Sequence, residues 1–289
     1  MSEILITGGN GALGQAIISQ LIKTNNFRVY TAGRTVVEGV HAHFPIDICD
    51  STQMSTAFNK IKPRYVLHLA ANFTGSLEEM YSVNVVAARQ ILDLAKSANF
   101  KTRILLTGSA AEYGAVKETE NPIREDRILK PVSAYGVTKA WQTQLIGFYI
   151  ALGVDVLEAR IFNLAGAKIS KNLFFGRITH QIEEILAGKK DTLEIGPLSA
   201  VRDYISIAEA AEQILAIMTN GVSGEIYHVA SGAPLRMRDL LAQELSASNL
   251  DFSIVREAEN NSNRSGYDVP AIYADVSKTQ RLLNQNTTA

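Results

Sequence analysis

Three features predict an α/β fold built on a doubly wound parallel sheet. Short apolar runs of strand length alternate with helical periodicities along most of the chain. The first run, Ile4-Leu5-Ile6, leads into a glycine-rich turn, Thr7-Gly8-Gly9-Asn10-Gly11-Ala12-Leu13-Gly14. After the turn, Ala16, Ile17, Ile18, Leu21 and Ile22 fall on one helical face. Parallel strands need crossover connections, and alternating helices supply them on both faces of the sheet. Strand, glycine turn and helix in this order predict the Rossmann type of doubly wound sheet, with a smaller C-terminal α/β lobe that carries a substrate.

Each element has its own signal. Glycines at 8, 11 and 14 let the backbone turn sharply, let N–H groups approach a pyrophosphate, and let the helix sit close on the sheet. Asn10, Ala12 and Leu13 complete that cradle, and the helix N-terminus faces the anion. A second strand, Arg28 to Ala32, releases its chain at Gly33-Arg34-Thr35, beside the position of an adenosine ribose. An arginine there offers a planar fork to a 2′-phosphate, which favours NADP(H) and leaves NAD(H) open; a solvated turn arginine is the other reading. Pro45-Ile46-Asp47-Ile48 reads as a third strand, and Asp47 is placed to accept from an adenine amino group or to start the next helix, Ser51 to Lys60. The run Tyr65 to Ala71 is a strand ending in small residues that let a flat ligand lie against backbone, and His68 within it reads as a packed core histidine.

Leu77 to Ala98 predicts one long amphipathic helix, Arg103 to Thr107 a fifth strand, and the polar stretch between Gly114 and Pro131 a solvated loop. Ser133 then caps a helix running to about Leu152, followed by a strand over Val154 to Phe162. From about Gly166 the pieces shorten, which divides the chain into a nucleotide-binding part, 1–165, and a substrate lobe, 166–289, with part of 200–230 returning to the main sheet. The lobe's elements are helices over Ile178 to Ala187, Ala208 to Met218, Met237 to Leu245 and Ser277 to Leu283, with strands at Leu193 to Ile195 and Ile226 to Val229.

Bulk properties exclude several function classes. A 289-residue chain with 46% hydrophobic and 20% charged residues has the composition of an ordinary globular protein that buries a sizeable core. A formal net charge of −1 supplies no field for nucleic acid or an anionic membrane, so an anion must be bound by a local site. Cys49 is the single cysteine, which rules out an internal disulfide and a metal cluster and reads as a packed thiol. No room for a signal peptide precedes the first strand and no apolar run spans a bilayer, so the expected location is cytoplasmic.

Ser109, Tyr135 and Lys139 carry the chemistry. Tyr135 and Lys139 are four apart on one predicted helix and so share a face. A lysine ammonium beside the phenol favours the phenolate and makes tyrosine a usable proton carrier. Ser109, at the end of the fifth strand, can hold the same substrate oxygen while hydride arrives from a nicotinamide.

With these residues the chain resembles the extended short-chain dehydrogenases/reductases, in their nucleotide-sugar epimerase, dehydratase and reductase group. The motifs are the glycine turn, Asp47-Ile48, His68-Leu69-Ala70-Ala71, Asn84 in Ser82-Val83-Asn84-Val85, Ser109 before Ala110-Ala111-Glu112-Tyr113-Gly114, Tyr135-Gly136-Val137-Thr138-Lys139, Arg160-Ile161-Phe162-Asn163, and Val201-Arg202-Asp203-Tyr204. The resemblance implies that Ser109, Tyr135 and Lys139 form the catalytic triad. It also implies cofactor contacts from Ile48, Leu69, Ala70, Ala71, Asn84, Thr107, Ile161 and Phe162, and diphosphate contacts from Asn163 and Arg202. An ion pair with Asp203 is the other reading of Arg202. Arg236 and Arg264, the latter with Asp268-Val269-Pro270, are similar to the nucleotide end of GDP-mannose-derived sugar reductases. The chain stops soon after Leu283, where such relatives add a helix.

The residues after Ser109 narrow the reaction. Dehydratases of the group carry acids where this chain has Ala110 and Ala111, and its epimerase-reductases a cysteine in place of Ala111. Glu112 stands one place late and is expected to point elsewhere. The resemblance therefore implies an NADPH-dependent reduction of the 4-keto group of a nucleotide-linked 4-dehydro-6-deoxyhexose, with a GDP-sugar favoured. An NAD-dependent UDP-sugar 4-epimerase and a non-enzymatic NADP-binding sensor are the alternatives. It also implies a homodimer through the helices at 77–98 and 133–152.

Overall fold

The computed structural model describes residues 1–258 and 269–286. Its main sheet has seven strands in the order β10-β6-β5-β4-β1-β2-β3, all pairs parallel. These are β1 (Ser2–Thr7), β2 (Phe27–Gly33), β3 (Ala42–Pro45), β4 (Tyr65–His68), β5 (Arg103–Ser109), β6 (Asp155–Ile161) and β10 (Ile226–Val229). Strand order departs from chain order in both directions from β1, so the crevice at the carboxyl ends of β1 and β4 is a topological switch point, where ligands bind in open α/β sheets.

Side-chain alternation explains why the sheet is covered on both faces. Ile4, Ile6, Leu67, Leu105 and Leu157 point to one side, where they pack on α1 (Ala12–Thr24) and α7 (Ile207–Asn220). Leu5, Val66, Ile104, Leu106 and Val156 point to the other, against α2 (Ser51–Ile61), α4 (Ala87–Ser97) and α5 (Ala134–Ala151). With both faces buried, the strands read as continuous apolar runs.

Three sequence expectations are corrected. The third strand lies earlier than Pro45 to Ile48: it ends at Pro45, opposite Gly33, and the Ile46 N–H makes the last bond to β2 on the Gly33 carbonyl at 3.2 Å. Asp47 sits beyond it in an exposed turn, where Oδ1 accepts from the Cys49 N–H at 2.9 Å, and Asp50 is the helix cap, accepting from the N–H groups of Thr52 and Gln53. The helix from Leu77 is not uniform. It runs as α3 (Leu77–Tyr81), a π turn over Ser82–Val86, and then α4. The stretch between Gly114 and Pro131 is not simply solvated. Val116 and Ile123 are buried, Ile123 bridges to Ala274, and Arg127 donates to the carbonyls of Tyr113 and Ala115.

The second half of the chain adds β7 (Asn163–Ala165), α6 (Phe174–Leu186), β8 (Leu193–Ile195), β9 (Val201–Ser206), β11 (Pro234–Arg236), α8 (Met237–Ala247), β12 (Val255–Glu257), β13 (Ala271–Ile272) and α9 (Ser277–Asn286). One small sheet has the order β11-β9-β13 with β7 also on β9, and a second pairs β12 with β8. Ile178, Ile182, Leu193, Ile195, Leu241 and Leu245 close a separate core between α6, α8 and β8. β10 lies in the main sheet beside β6, and α7 packs against α1.

Two fully buried histidines stand in the sheet. His68 on β4 pairs through Nδ1 with the Thr7 hydroxyl at 2.8 Å, and burial together with the Lys139 ammonium lowers its pKa to about 3. His228 on β10 is lowered to about 4, again chiefly by burial. In the unfolded chain both protonate below about 6.5. The unfolded state thus binds more protons as pH falls, and stability falls with it. Glu112 pulls the other way between 4.5 and about 7, because burial raises its carboxyl and the folded state keeps a proton that the unfolded chain releases. Burial raises the Glu125 and Glu244 carboxyls in the same sense as Glu112. The two histidine shifts are the ones expected to dominate, so urea midpoints should fall modestly from pH 6.5 to pH 5. A profile flat across that window would show that these histidines are not held neutral.

Candidate active site

The glycine turn has the form of a phosphate cradle. Gly8 has φ of +72°, and a Cβ there would stand 2.7 Å from the Ala70 nitrogen, so β1 and β4 close on each other only with glycine at this point. A Cβ on Gly14 would meet the Gly8 carbonyl oxygen at 2.5 Å, which is why α1 can begin directly beneath the turn. Gly11 differs: the nearest atom to a Cβ there is 3.4 Å away, and Asn10 and Gly11 are exposed. Gly11 is also the N-cap of α1 and offers no side-chain cap, leaving the dipole end and its N–H groups for an anion. Ala12 and Leu13 form the first turn above it, and Leu69, Ala70 and Ala71 lie half-buried across the crevice. These residues fit a dinucleotide pyrophosphate. Arg34 follows β2 as an exposed side chain, close enough to Cys49 to lower its thiol pKa against the larger effect of burial.

Facing the cradle, α5 presents Tyr135, Lys139 and Thr143 at steps of four along one side. Ser133 caps the helix by accepting from the Gly136 N–H at 3.1 Å. Gly136 is required there, since a Cβ would meet the Ala111 carbonyl oxygen. Ser109 ends β5 and hydrogen-bonds Tyr135, lowering a phenol that burial nevertheless pushes up to about 12. Lys139 is buried, and its Nζ donates to the Thr107 carbonyl at 2.7 Å and to Gln142 at 3.0 Å. Burial lowers its pKa to about 8, against the pull of Glu112 and Glu158. The expected lowering of Tyr135 by a neighbouring ammonium is therefore reversed: desolvation dominates, and Tyr135 is held as a proton donor.

Other predicted site residues have structural partners. Asn84 is fully buried in the π turn. Its Nδ2 donates to the Asn72 carbonyl at 2.7 Å and to the Thr138 hydroxyl at 3.0 Å, and its Oδ1 accepts from the Asn72 N–H at 2.8 Å. Both amide protons are spent, and Asn84 ties the 70–73 loop to α5. Phe73 on that loop meets the Tyr135 ring edge-on at 6.3 Å. Thr107 is buried and its hydroxyl donates to the His68 carbonyl at 3.0 Å. Ile48 and Ile161 are half-buried, and Phe162 packs with Tyr113 and Ile272.

On the substrate side, Asn163 donates to the Asp203 carbonyl at 3.0 Å, and Arg202 is buried with Nη1 on the Val201 carbonyl at 2.9 Å. The Asp203 carboxylate accepts from Ser231 N and Oγ, Gly232 N and Ala274 N, and so gathers the loop after β10. Arg236 is exposed at the end of β11, in a hollow shared with Leu198, Ser199, Arg238 and Glu257. Arg264 and Asp268 lie outside the described residues.

Sequence reasoning missed what lies beneath Ser109. Glu112 is fully buried and its Oε1 accepts from the Ser109 N–H at 2.6 Å, while the Ser109 hydroxyl accepts from the Ala111 N–H at 3.2 Å. Glu158 and Arg160, also fully buried, stand beside it. The signal was present: Val156-Leu157-Glu158-Ala159-Arg160 puts two charges on the same face of an otherwise apolar strand. Among the described residues no helix is long and apolar enough to cross a membrane, and no cluster suited to a metal ion is found.

Comparison with known proteins fits this geometry. Residues 5–287 match the family model described as GDP-mannose 4,6 dehydratase. The GDP-6-deoxy-D-talose 4-dehydrogenase of Aggregatibacter actinomycetemcomitans is 25% identical, over 98% of this chain and 92% of its own. The GDP-6-deoxy-D-mannose reductase of Pseudomonas aeruginosa is 27% identical over 61% of this chain and 58% of its own. Among solved structures, RMD from Pseudomonas aeruginosa complexed with NADPH superposes with a TM-score of 0.84 at 20% identity, covering 98% of this chain and 93% of that one. The dTDP-glucose 4,6-dehydratase of Bacillus anthracis in complex with NAD gives 0.86 at 16% identity, over 98% and 91%. With its Rossmann-type sheet, glycine cradle and Ser-Tyr-Lys face, the chain belongs to the GDP-mannose 4,6-dehydratase family of extended short-chain dehydrogenases/reductases and is an NAD(P)-dependent enzyme.

Proposed function

We propose that this enzyme reduces the 4-keto group of a GDP-linked 4-dehydro-6-deoxyhexose with NADPH. One observation carries the choice of reaction. The turn after Ser109 has only the half-buried Ala110 and Ala111 at its first two positions, and its acid, Glu112, is turned into the protein interior and consumed there. Removing water from a sugar needs an acid and a base at the carbons that lose hydroxyl and proton, and this turn supplies neither. Hydride addition to a carbonyl needs only an oxygen clamp and a proton, which Ser109 and Tyr135 provide. The names of the two relatives, a GDP-6-deoxyhexose 4-dehydrogenase and a reductase, support the 4-position and the GDP-sugar class.

The cofactor, when bound, supplies the hydride to C4. Ser109 and Tyr135 hold the carbonyl oxygen, and Tyr135, a neutral phenol near pH 7, gives it the proton as negative charge develops there. Lys139 fixes the face of α5 through the Thr107 carbonyl and keeps a positive charge near the phenolate that forms. Arg34 binds the 2′-phosphate, Asn163 and Arg202 the diphosphate, and Arg236 with Arg264 the guanosine end.

Purified protein should consume NADPH in step with a GDP-4-dehydro-6-deoxyhexose, and much more slowly with the UDP-, dTDP- or CDP-linked forms. Tyr135→Phe should lower turnover at least a hundredfold while cofactor affinity stays within about threefold. Protein that carries tightly bound NAD and interconverts a UDP-hexose without added reductant would instead be an epimerase, the activity in the name of a Lactobacillus helveticus relative, 25% identical over 97% of this chain. Replacing Arg34 with Ala should weaken NADPH at least about tenfold and leave NADH nearly unchanged. Equal losses for both cofactors would remove Arg34 from the phosphate.

The helices α3 and α5 leave Leu77, Tyr81, Trp141, Phe148 and Leu152 exposed, with Phe148 at 60%. Tyr81 and Trp141 already meet edge to face at 5.7 Å. An apolar strip along two adjacent helices is the expected seam of a two-fold dimer. Light scattering should give twice the chain mass, and Trp141→Glu combined with Phe148→Glu should return it to the monomer.

A further inference from the structure

The proposed reaction uses Ser109, Tyr135 and Lys139, but a second set of ionisable groups lies directly behind them and is fully enclosed. Arg160 on β6 donates from Nε to Glu158 Oε1 at 3.0 Å. Its Nη2 stands 3.0 Å from Glu112 Oε2 and 2.9 Å from Glu158 Oε1, at ion-pair distance though off the hydrogen-bond axis. Two carboxylates against one guanidinium leave one buried negative charge without a directly paired cation. Lys139 is in range of both carboxyls, but its own hydrogen bonds go to Thr107 and Gln142.

Thr143, on the same side of α5 as Tyr135 and Lys139, resolves the count. Its Oγ1 lies 2.7 Å from Glu112 Oε2 and 2.5 Å from Glu158 Oε2. A hydroxyl has one proton to donate. At these separations the second oxygen must bring a proton of its own, or two lone pairs would face each other in a fully buried site. The remaining neighbours are settled. The Nδ1–H of neutral His228 donates to the Asp275 carbonyl at 2.9 Å, so its Nε2 accepts from the Tyr113 hydroxyl at 2.5 Å. The Tyr113 oxygen accepts in turn from Arg160 Nη1 at 2.8 Å, and Glu125 approaches only the outer side of His228, at 3.8 Å from Nδ1. None of these can donate to the carboxyl pair. Gly108 completes the enclosure, because a Cβ there would collide with both Glu112 Oε1 and Glu158 Oε1.

We propose that Glu112 and Glu158 share a single proton through Thr143, and that this neutral buried assembly with Arg160 makes Glu112 the positioning residue for Ser109. The positioning half rests on the function proposed above; the shared proton does not. Glu112 Oε1 holds the Ser109 N–H at the last residue of β5 and so sets where the serine hydroxyl stands against Tyr135. Burial and the neighbouring Glu158 raise the Glu112 carboxyl to about 7, so the proton is held in the mildly acidic range, is half released near pH 7 and is gone on the alkaline side.

Infrared difference spectra of the full chain, labelled with ¹³C-carboxyl glutamate, test the proton directly. A protonated-carboxyl band should be present near pH 6.5, fade as pH rises, and vanish in Glu112→Gln and in Glu158→Gln. Absence of the band in the native protein, or its survival in both variants, overturns the shared proton whatever the enzyme's substrate is. For positioning, Glu112→Ala should lower kcat at least tenfold with NADPH affinity within threefold, Glu112→Gln should restore most of it, and Glu112→Ala should add no loss to Ser109→Ala. Additive losses, or failure of the glutamine to rescue, overturn the positioning role. If the band behaves as stated while no nucleotide sugar is reduced by the native protein, the proposed function fails and the shared proton stands.

Discussion

The carbonyl of Thr107 is the point on which the site depends. It is near the end of β5, where the pairing with β4 has stopped at Leu106 while that with β6 runs on to Ser109, and it accepts from Lys139 Nζ at 2.7 Å and from Gln142 Nε2 at 3.0 Å. Two donors from α5 on one strand oxygen fix both the height and the rotation of that helix. Once they are set, Tyr135 one turn earlier reaches Ser109, and Thr143 one turn later reaches Glu112 and Glu158. A buried lysine is costly to desolvate, and the low pKa it acquires reflects that cost. Charge and hydrogen bonding, rather than apolar packing, therefore register the helix that carries the proposed chemistry.

The same logic divides the crevice into two unlike halves. On the cradle side, side chains are removed: Gly8 and Gly14 let backbone come near backbone, and Gly11 leaves N–H groups at a helix end. On the catalytic side, polar side chains are buried and satisfied one against another, through Asn84 with Asn72 and Thr138, and through Glu112 with Ser109. A dinucleotide needs close approach at its phosphates and rigid donors at its reactive end, and the two halves meet these needs by opposite means.

How much of this could be read from the sequence follows the range of each interaction. The cradle was legible because strand, glycines and helix are contiguous, and the Tyr135 and Lys139 pair because a helix maps a spacing of four onto one face. The parallel sheet covered on both faces followed from alternation. Asn84 was legible as a motif residue, but its clamp on the 70–73 loop was not, because that depends on a π turn and on the backbone of Asn72, twelve residues earlier. The direction of the Tyr135 shift was misjudged because spacing places an ammonium near a phenol but does not report burial, and burial is the larger effect. Strand β3 was displaced because its apolar pattern continues past Pro45, whereas after the Ile46 N–H reaches Gly33 the chain turns at Asp47, which accepts from Cys49.

Glu112 shows how a single position can be read correctly and for an incomplete reason. From the sequence it is an acid one place too late to serve elimination. In the fold it is excluded from the crevice because it has another set of partners, gathered from residues 108, 109, 143, 158 and 160. Moving an acid into the crevice at 110 or 111 would leave this assembly in place, whereas removing Glu112 would leave Arg160 and Glu158 to rearrange. Reaction type and structural integrity are thus assigned to neighbouring residues of one short turn. The alanines determine what the turn cannot catalyse, and the glutamate determines where its serine stands.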